Sequence, residues 1–253
     1  MGVAPSPREG GRSTEPGRRR LVCVSGLGGA AEEWAPVAPG LDRYGEVLSM
    51  ELTLSSQPGD ESVGGPFQLS LAALDLALEG ATEPPILIGH SMGALAGMLL
   101  AATYPDRLAG LVLTAPFVPV ARNGRSSLAT AADYARHRAL FLAGSRSRRR
   151  RRQRSSAVSV DFRTRASGLG ALARFGLRPS AFHAIAARVG CPALIVHGSA
   201  DHYVPPAFAL AAAARHPAWH IQLIPGAGHF PHRDNGTPWL AVVEPFLQDL
   251  LPP

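Results

Sequence analysis

Lysine is absent from this chain of 253 residues, so all 25 basic positions are arginine. Against 19 acidic residues the formal charge is +6, which taken alone would suggest a polyanion-binding surface. Seven of the arginines, however, fall in one run: Arg146, Arg148, Arg149, Arg150, Arg151, Arg152 and Arg154. Without that run eighteen arginines face nineteen acids, and the body of the chain is close to neutral. Cysteine is scarce too. Cys23 and Cys191 each sit inside an apolar run that reads as a strand, which excludes a disulfide framework and suits the cytoplasm as the expected compartment. Neither C-x-x-C nor H-E-x-x-H occurs, so no metal site and no cofactor are expected. No stretch of eighteen consecutive apolar residues exists, and no membrane span is expected. Residues 1–19 are rich in Gly, Pro, Ser and Arg and lack the apolar segment of a secretory signal, so they read as a disordered arm.

What is present points to one domain with an insertion. At 46% hydrophobic residues a chain of this length buries a full core. Strand and helix patterns alternate, which predicts a mostly parallel sheet of about six strands covered on both faces. The strands are expected around Leu21–Val24, Glu46–Met50, Ile86–Ile88, Leu111–Thr114, Ala193–Val196 and His220–Ile224. Helical spacing runs over Phe67–Leu78, Ala94–Thr103, Pro206–Arg215 and Trp239–Leu250. The alternation stops after Phe117. Residues 20–117 and 190–253 therefore form the expected core. Residues 118–189 form a helical cap containing an arginine-rich loop at 144–159.

The sharpest local signal is Gly89-His90-Ser91-Met92-Gly93, between the apolar run ending at Ile88 and the small-residue run beginning at Ala94. A serine flanked by glycines at a strand-to-helix junction is what a nucleophile elbow needs, because the tight turn leaves no room for bulk two residues to either side. The following helix aims its N-terminal amides where negative charge would develop. A serine hydroxyl also needs a base, and the base an orienting acid. Asp201 follows the strand Leu194–His197 in Gly198-Ser199-Ala200-Asp201. His229 follows the last strand in Gly226-Ala227-Gly228-His229. Both fall at the C-terminal edge of the sheet, where open α/β sheets bind ligands.

Other residues compete for these roles less well. His90 lies inside the elbow and suits a supporting place; His197 precedes Gly198 and reads as packing. His202 and His232 lie near the site but lack the glycine-flanked loop of His229. Asp106, Asp234, Asp133 and Asp161 are acids at less suitable places.

These motifs, with Ser25-Gly26-Leu27-Gly28-Gly29, Trp34 and Tyr104-Pro105-Asp106-Arg107, resemble the α/β-hydrolase superfamily over roughly residues 20–117 and 188–253. Its small esterases, lactonases, C–C hydrolases and perhydrolases are the members most similar. The resemblance implies a Ser91–Asp201–His229 triad and an oxyanion hole made by the backbone amides of Leu27 and Met92. Three departures stand out. Ser25 occupies the usual histidine position of the oxyanion loop, Leu54–Asp60 replaces a glycine-rich turn, and two opening strands are missing. The expected activity is a serine carboxylesterase acting on a small-to-medium apolar ester. Lactone, thioester, carrier-bound acyl and C–C substrates remain open, as does a non-hydrolytic cyclase or receptor. Gly26, Trp34, Phe117, Tyr134, Phe141, Phe162 and Phe230 are the candidate substrate contacts. The arginine run offers a docking place for an acidic carrier protein; nucleic acid is not an expected partner, because no aromatic stacking platform accompanies the run.

Overall fold

A computed structural model describes residues 18–53, 67–117 and 179–251. Six strands, β1 (Arg20–Val24), β2 (Glu46–Met50), β3 (Ile86–His90), β4 (Gly110–Thr114), β5 (Ala193–Gly198) and β6 (Trp219–Ile224), form one sheet in the order β2-β1-β3-β4-β5-β6. Every neighbouring pair is parallel. The inner strands are nearly continuous apolar runs because helices cover both faces. Alternate residues face opposite layers. Val22, Val24, Leu87, Leu111, Leu113 and Ile195 pack with α2 (Gln68–Leu78), α3 (Met92–Thr103), α4 (Pro179–Ala186) and α5 (Pro206–Ala213). Leu21, Cys23, Ile86, Ile88, Val112, Leu194 and Val196 pack with α1 (Ala38–Leu41) and the last helix, α7 (Gly236–Leu250). A 3-10 turn, Ala31–Trp34, joins the second layer, and α6 (Pro231–Asp234) precedes α7. Cys23 and Cys191 are buried and unpaired. Among the described residues no helix is long and apolar enough to cross a membrane.

The expected strands are all present, each within a residue or two of its anticipated ends. The helices differ more. α3 begins at Met92 rather than Ala94, and α7 at Gly236 rather than Trp239. Pro179 is the first residue of α4, where its missing N–H costs nothing. Of residues 179–189, expected in the cap, Phe182 and Ala186 sit in the core cluster beside α3. The rest of the expected cap, the arginine run, Leu54–Asp60 and the N-terminal residues 1–17 lie outside the described residues.

The chain runs from β1 outward to β2 and returns to the other side of β1 as β3. That reversal makes the C-terminal ends of β1 and β3 the switch point, where the sheet opens a crevice.

Candidate active site

Ser91 follows β3 directly at this crevice, with φ 52° and ψ −110°. A residue with a Cβ holds such angles only when its surroundings impose them, at a cost of roughly 1–3 kcal/mol. Packing imposes them here. A Cβ on Gly89 would strike the backbone of Gly93 and Ala94, and one on Gly93 would strike the carbonyl oxygens of Val24 and Ser25. The two glycines let α3 start immediately and run close over β1. The Ser91 N–H donates to the Thr114 carbonyl at 2.9 Å, pinning the turn to β4.

Asp201 lies beyond β5 and is 4% exposed. Its Oδ1 accepts the backbone N–H groups of Tyr203 at 2.7 Å and Val204 at 2.9 Å. Its Oδ2 accepts from His229 Nδ1 at 2.8 Å and lies 3.2 Å from His197 Nε2. Burial by itself would raise the pKa of this carboxyl. The hydrogen bonds and charges of His197 and His229 outweigh burial and hold it well below the usual carboxylate range. His229 sits on the loop after β6. Burial lowers its pKa, the neighbouring His90 lowers it further, and Asp201 acts in the opposite sense without cancelling them. With Nδ1 donating to Asp201, the neutral ring presents Nε2 as a proton acceptor.

Leu27 is in the turn after β1 and Met92 is the first residue of α3. Among the described residues neither amide donates to another backbone oxygen. The Gly26 amide is already engaged, donating to Glu33 Oε1 at 3.2 Å. Ser25, in place of the usual histidine, donates its hydroxyl to the Ala30 carbonyl at 2.9 Å and so closes the loop on itself.

The expected substrate contacts divide. Phe230 is half-buried with its ring 4.8 Å from that of His90. Gly26 and Phe117 are buried. Trp34 is a correction: it is wholly buried, with its ring 4.2 Å from His232 and 6.1 Å from Trp239. The 3-10 turn carries it into the layer of α7, where it is core and presents nothing to a ligand. Tyr134, Phe141 and Phe162 lie outside the described residues. Of the competing groups, His202 and Asp106 are exposed and Asp234 pairs with Arg233 at 2.9 Å. His197 does more than pack: its Nε2 donates to the Val204 carbonyl at 2.9 Å while lying against Asp201.

Sequence reasoning missed Glu33 altogether. It is 8% exposed and, with His90 and His232, places one potential ligand atom per residue within 4.8 Å of the others. That set could hold a metal, although no sequence spacing hints at it. Its Oε1 is already occupied by the Gly26 amide and by His90 Nδ1 at 3.1 Å, the pattern of a hydrogen-bond network. The one sequence cue was an acid immediately before Trp34 in a turn whose other side opens to solvent, which does not tell Glu33 from Glu32.

Comparison with known proteins gives a consistent picture. The profile of the alpha/beta hydrolase family matches residues 21–244. The pimeloyl-acyl-carrier-protein methyl ester esterase of Edwardsiella ictaluri is 29% identical over 250 residues, covering 90% of this chain and 92% of its own. A carboxylesterase structure from Nitrososphaera gargenis aligns with a TM-score of 0.63 at 16% identity, covering 94% of this chain and 93% of that one. A thermophilic esterase from Thermogutta terrifontis aligns with a TM-score of 0.55 at 20% identity, covering 92% and 90%.

Proposed function

Because the chain belongs to the alpha/beta hydrolase family, we propose that it is a serine hydrolase cleaving a small-to-medium apolar ester through an acyl-enzyme on Ser91. The observation that carries this reading is the 2.8 Å hydrogen bond between His229 and Asp201, on loops at the same sheet edge as the strained Ser91. Ser91 Oγ attacks the ester carbonyl as His229 Nε2 takes its proton, and Asp201 balances the imidazolium that forms. The amides of Leu27 and Met92 hold the oxyanion of the tetrahedral intermediate. Collapse expels the alcohol with the proton from His229. Water then attacks the acyl-enzyme, giving a proton to His229, which passes it to Ser91 Oγ as the acid is released.

A carrier-bound acyl ester is a second reading. It is favoured by the name of the Edwardsiella relative and by seven arginines within residues 146–154, which complement an acidic carrier. The two buried free thiols suit the cytoplasm as the place of action.

One experiment covers both. A fluorophosphonate probe is expected to label the wild-type protein at Ser91 and to leave Ser91→Ala unlabelled. Failure of the wild type to label would move the protein to a non-hydrolytic role. Free p-nitrophenyl esters and an acyl methyl ester on an acyl-carrier protein are then compared, with and without the arginine run replaced by glycine and serine. If carrier docking operates, the replacement slows only the carrier-bound substrate. Equal rates on it before and after replacement end the second reading.

A further inference from the structure

Glu33 comes from the 3-10 turn after β1, among residues that are otherwise core. A carboxylate buried without partners costs several kcal/mol, so its partners explain its presence. Burial would raise its pKa, yet His232 and His90 beside it hold it well below the usual carboxylate range. His90 Nδ1 hydrogen-bonds the Glu33 carboxyl, 3.1 Å from its Oε1. The other ring nitrogen of His90, Nε2, donates to the backbone carbonyl of His229 at 2.9 Å, since a carbonyl only accepts. The ring therefore hydrogen-bonds in both directions. It links the Glu33 carboxylate to the main chain of the residue proposed as the general base.

The same Glu33 oxygen accepts the Gly26 amide at 3.2 Å. Gly26 precedes Leu27, a proposed oxyanion donor; His90 precedes Ser91; His229 is the base itself. One carboxylate thus ties the chain beside all three working parts, which arrive on loops after β1, β3 and β6. No sequence-local bond does this. His232 closes the place from the other side: it is wholly buried, 3.6 Å from Glu33 Oε1, and among the described residues hydrogen-bonds through neither ring nitrogen. Its ring lies 4.2 Å from that of Trp34, tilted by 32°, and in so buried a setting hydrogen bonds are stronger than in water.

We propose that Glu33 is a positioning residue. Through His90 it fixes the His229 loop relative to the Ser91 elbow and the Gly26–Leu27 loop. The proposal rests on the serine-hydrolase reading above. Misplacing a catalytic group by about 1 Å costs on the order of 100-fold in rate, which sets the size of the expected effect.

Glu33→Gln keeps the shape but replaces one accepting oxygen by a donor and removes the charge. His90→Asn removes the far end of the link. On p-nitrophenyl butyrate each is expected to lower kcat about 10- to 100-fold while KM changes less than about threefold. The double variant is expected to be no worse than about threefold below the poorer single one, because both act through the same chain of bonds. Val243→Ala, in the same layer, serves as the packing control, losing thermal stability but keeping kcat within about twofold. Additive losses in the double variant, a change in KM alone, or an equal fall of kcat in Val243→Ala would each overturn the proposal.

If Glu33→Gln does not fold, the wild-type ¹⁵N spectrum of the histidine rings decides. A histidine ring N–H held in slow exchange with solvent, and lost in His90→Asn, supports the link; its absence overturns it. Stoichiometric zinc at this cluster in the purified protein overturns it too, since His90 would then bind the metal and not the Glu33 carboxyl. Fluorophosphonate labelling separates the two levels. A wild type that does not label sinks both readings, whereas a labelled wild type with unchanged kcat in Glu33→Gln sinks only this one.

Discussion

Two buried carboxylates, Asp201 and Glu33, organise the imidazoles at this edge of the sheet, and each lies against two of them. Asp201 lies against His229 and His197 and takes two loop amides besides. The consequence for His229 is directional. Its pKa is lowered by burial, with His90 and His197 adding to the effect and Asp201 opposing it. A lowered pKa keeps the ring neutral, and able to accept a proton, to lower pH than an ordinary histidine of about 6.5. The acid limb of kcat/KM against pH should therefore have its midpoint below that value. Asp201→Asn removes the opposing influence, so the midpoint should fall further and kcat drop by about 10³–10⁴. A wild-type midpoint at or above the ordinary imidazole range would contradict this account.

At the scale of the element, α3 makes the elbow possible by being narrow. Residues Met92–Ala102 are all buried, and Gly93 and Gly97 lie on faces where other chain segments come close. They are not equivalent. A Cβ at Gly97 would meet the side chain of Leu87, which can turn aside; one at Gly93 would meet the backbone oxygens of Val24 and Ser25, which cannot. Gly97→Ala also gains helix propensity of up to about 1 kcal/mol, set against overpacking of roughly 1–3 kcal/mol. Urea denaturation should accordingly find Gly93→Ala the more destabilised of the two, by at least about 1 kcal/mol. The reverse order would mean that α3 can shift off β1 and that the elbow is less rigid than its geometry implies.

For the molecule as a whole, the buried cluster between the sheet and α7 makes stability depend on acid. Burial lowers the His232 pKa from 6.5 to about 4, with Glu33 acting against the shift. The unfolded chain therefore binds more protons between those values, and stability rises with pH across the window. Stability is fully present above about 6.5 and is lost as pH falls toward about 4, by on the order of 3 kcal/mol for this group. The lowered pKa values of Glu33 and Asp201 extend the loss to still lower pH, because their contributions are present above the ordinary carboxylate range and vanish below it. Thermal melts should show Tm falling between pH 6.5 and 4, and falling less in His232→Phe. A Tm independent of pH over that interval would count against a neutral, buried His232. The sequence by itself determined the sheet and its edge. Apolar runs of strand length, the glycines around Ser91, and the loops bearing Asp201 and His229 are local patterns, and local sterics and period-two burial act within a few residues. Only the tertiary structure decided what lies behind that edge. Trp34 went to the core, α4 joined the sheet's helical layer, and His90 met Glu33 on one side and the His229 carbonyl on the other, across three loops. Such contacts join residues 57 and 139 positions apart, where nothing in the local pattern of the chain records which groups will meet.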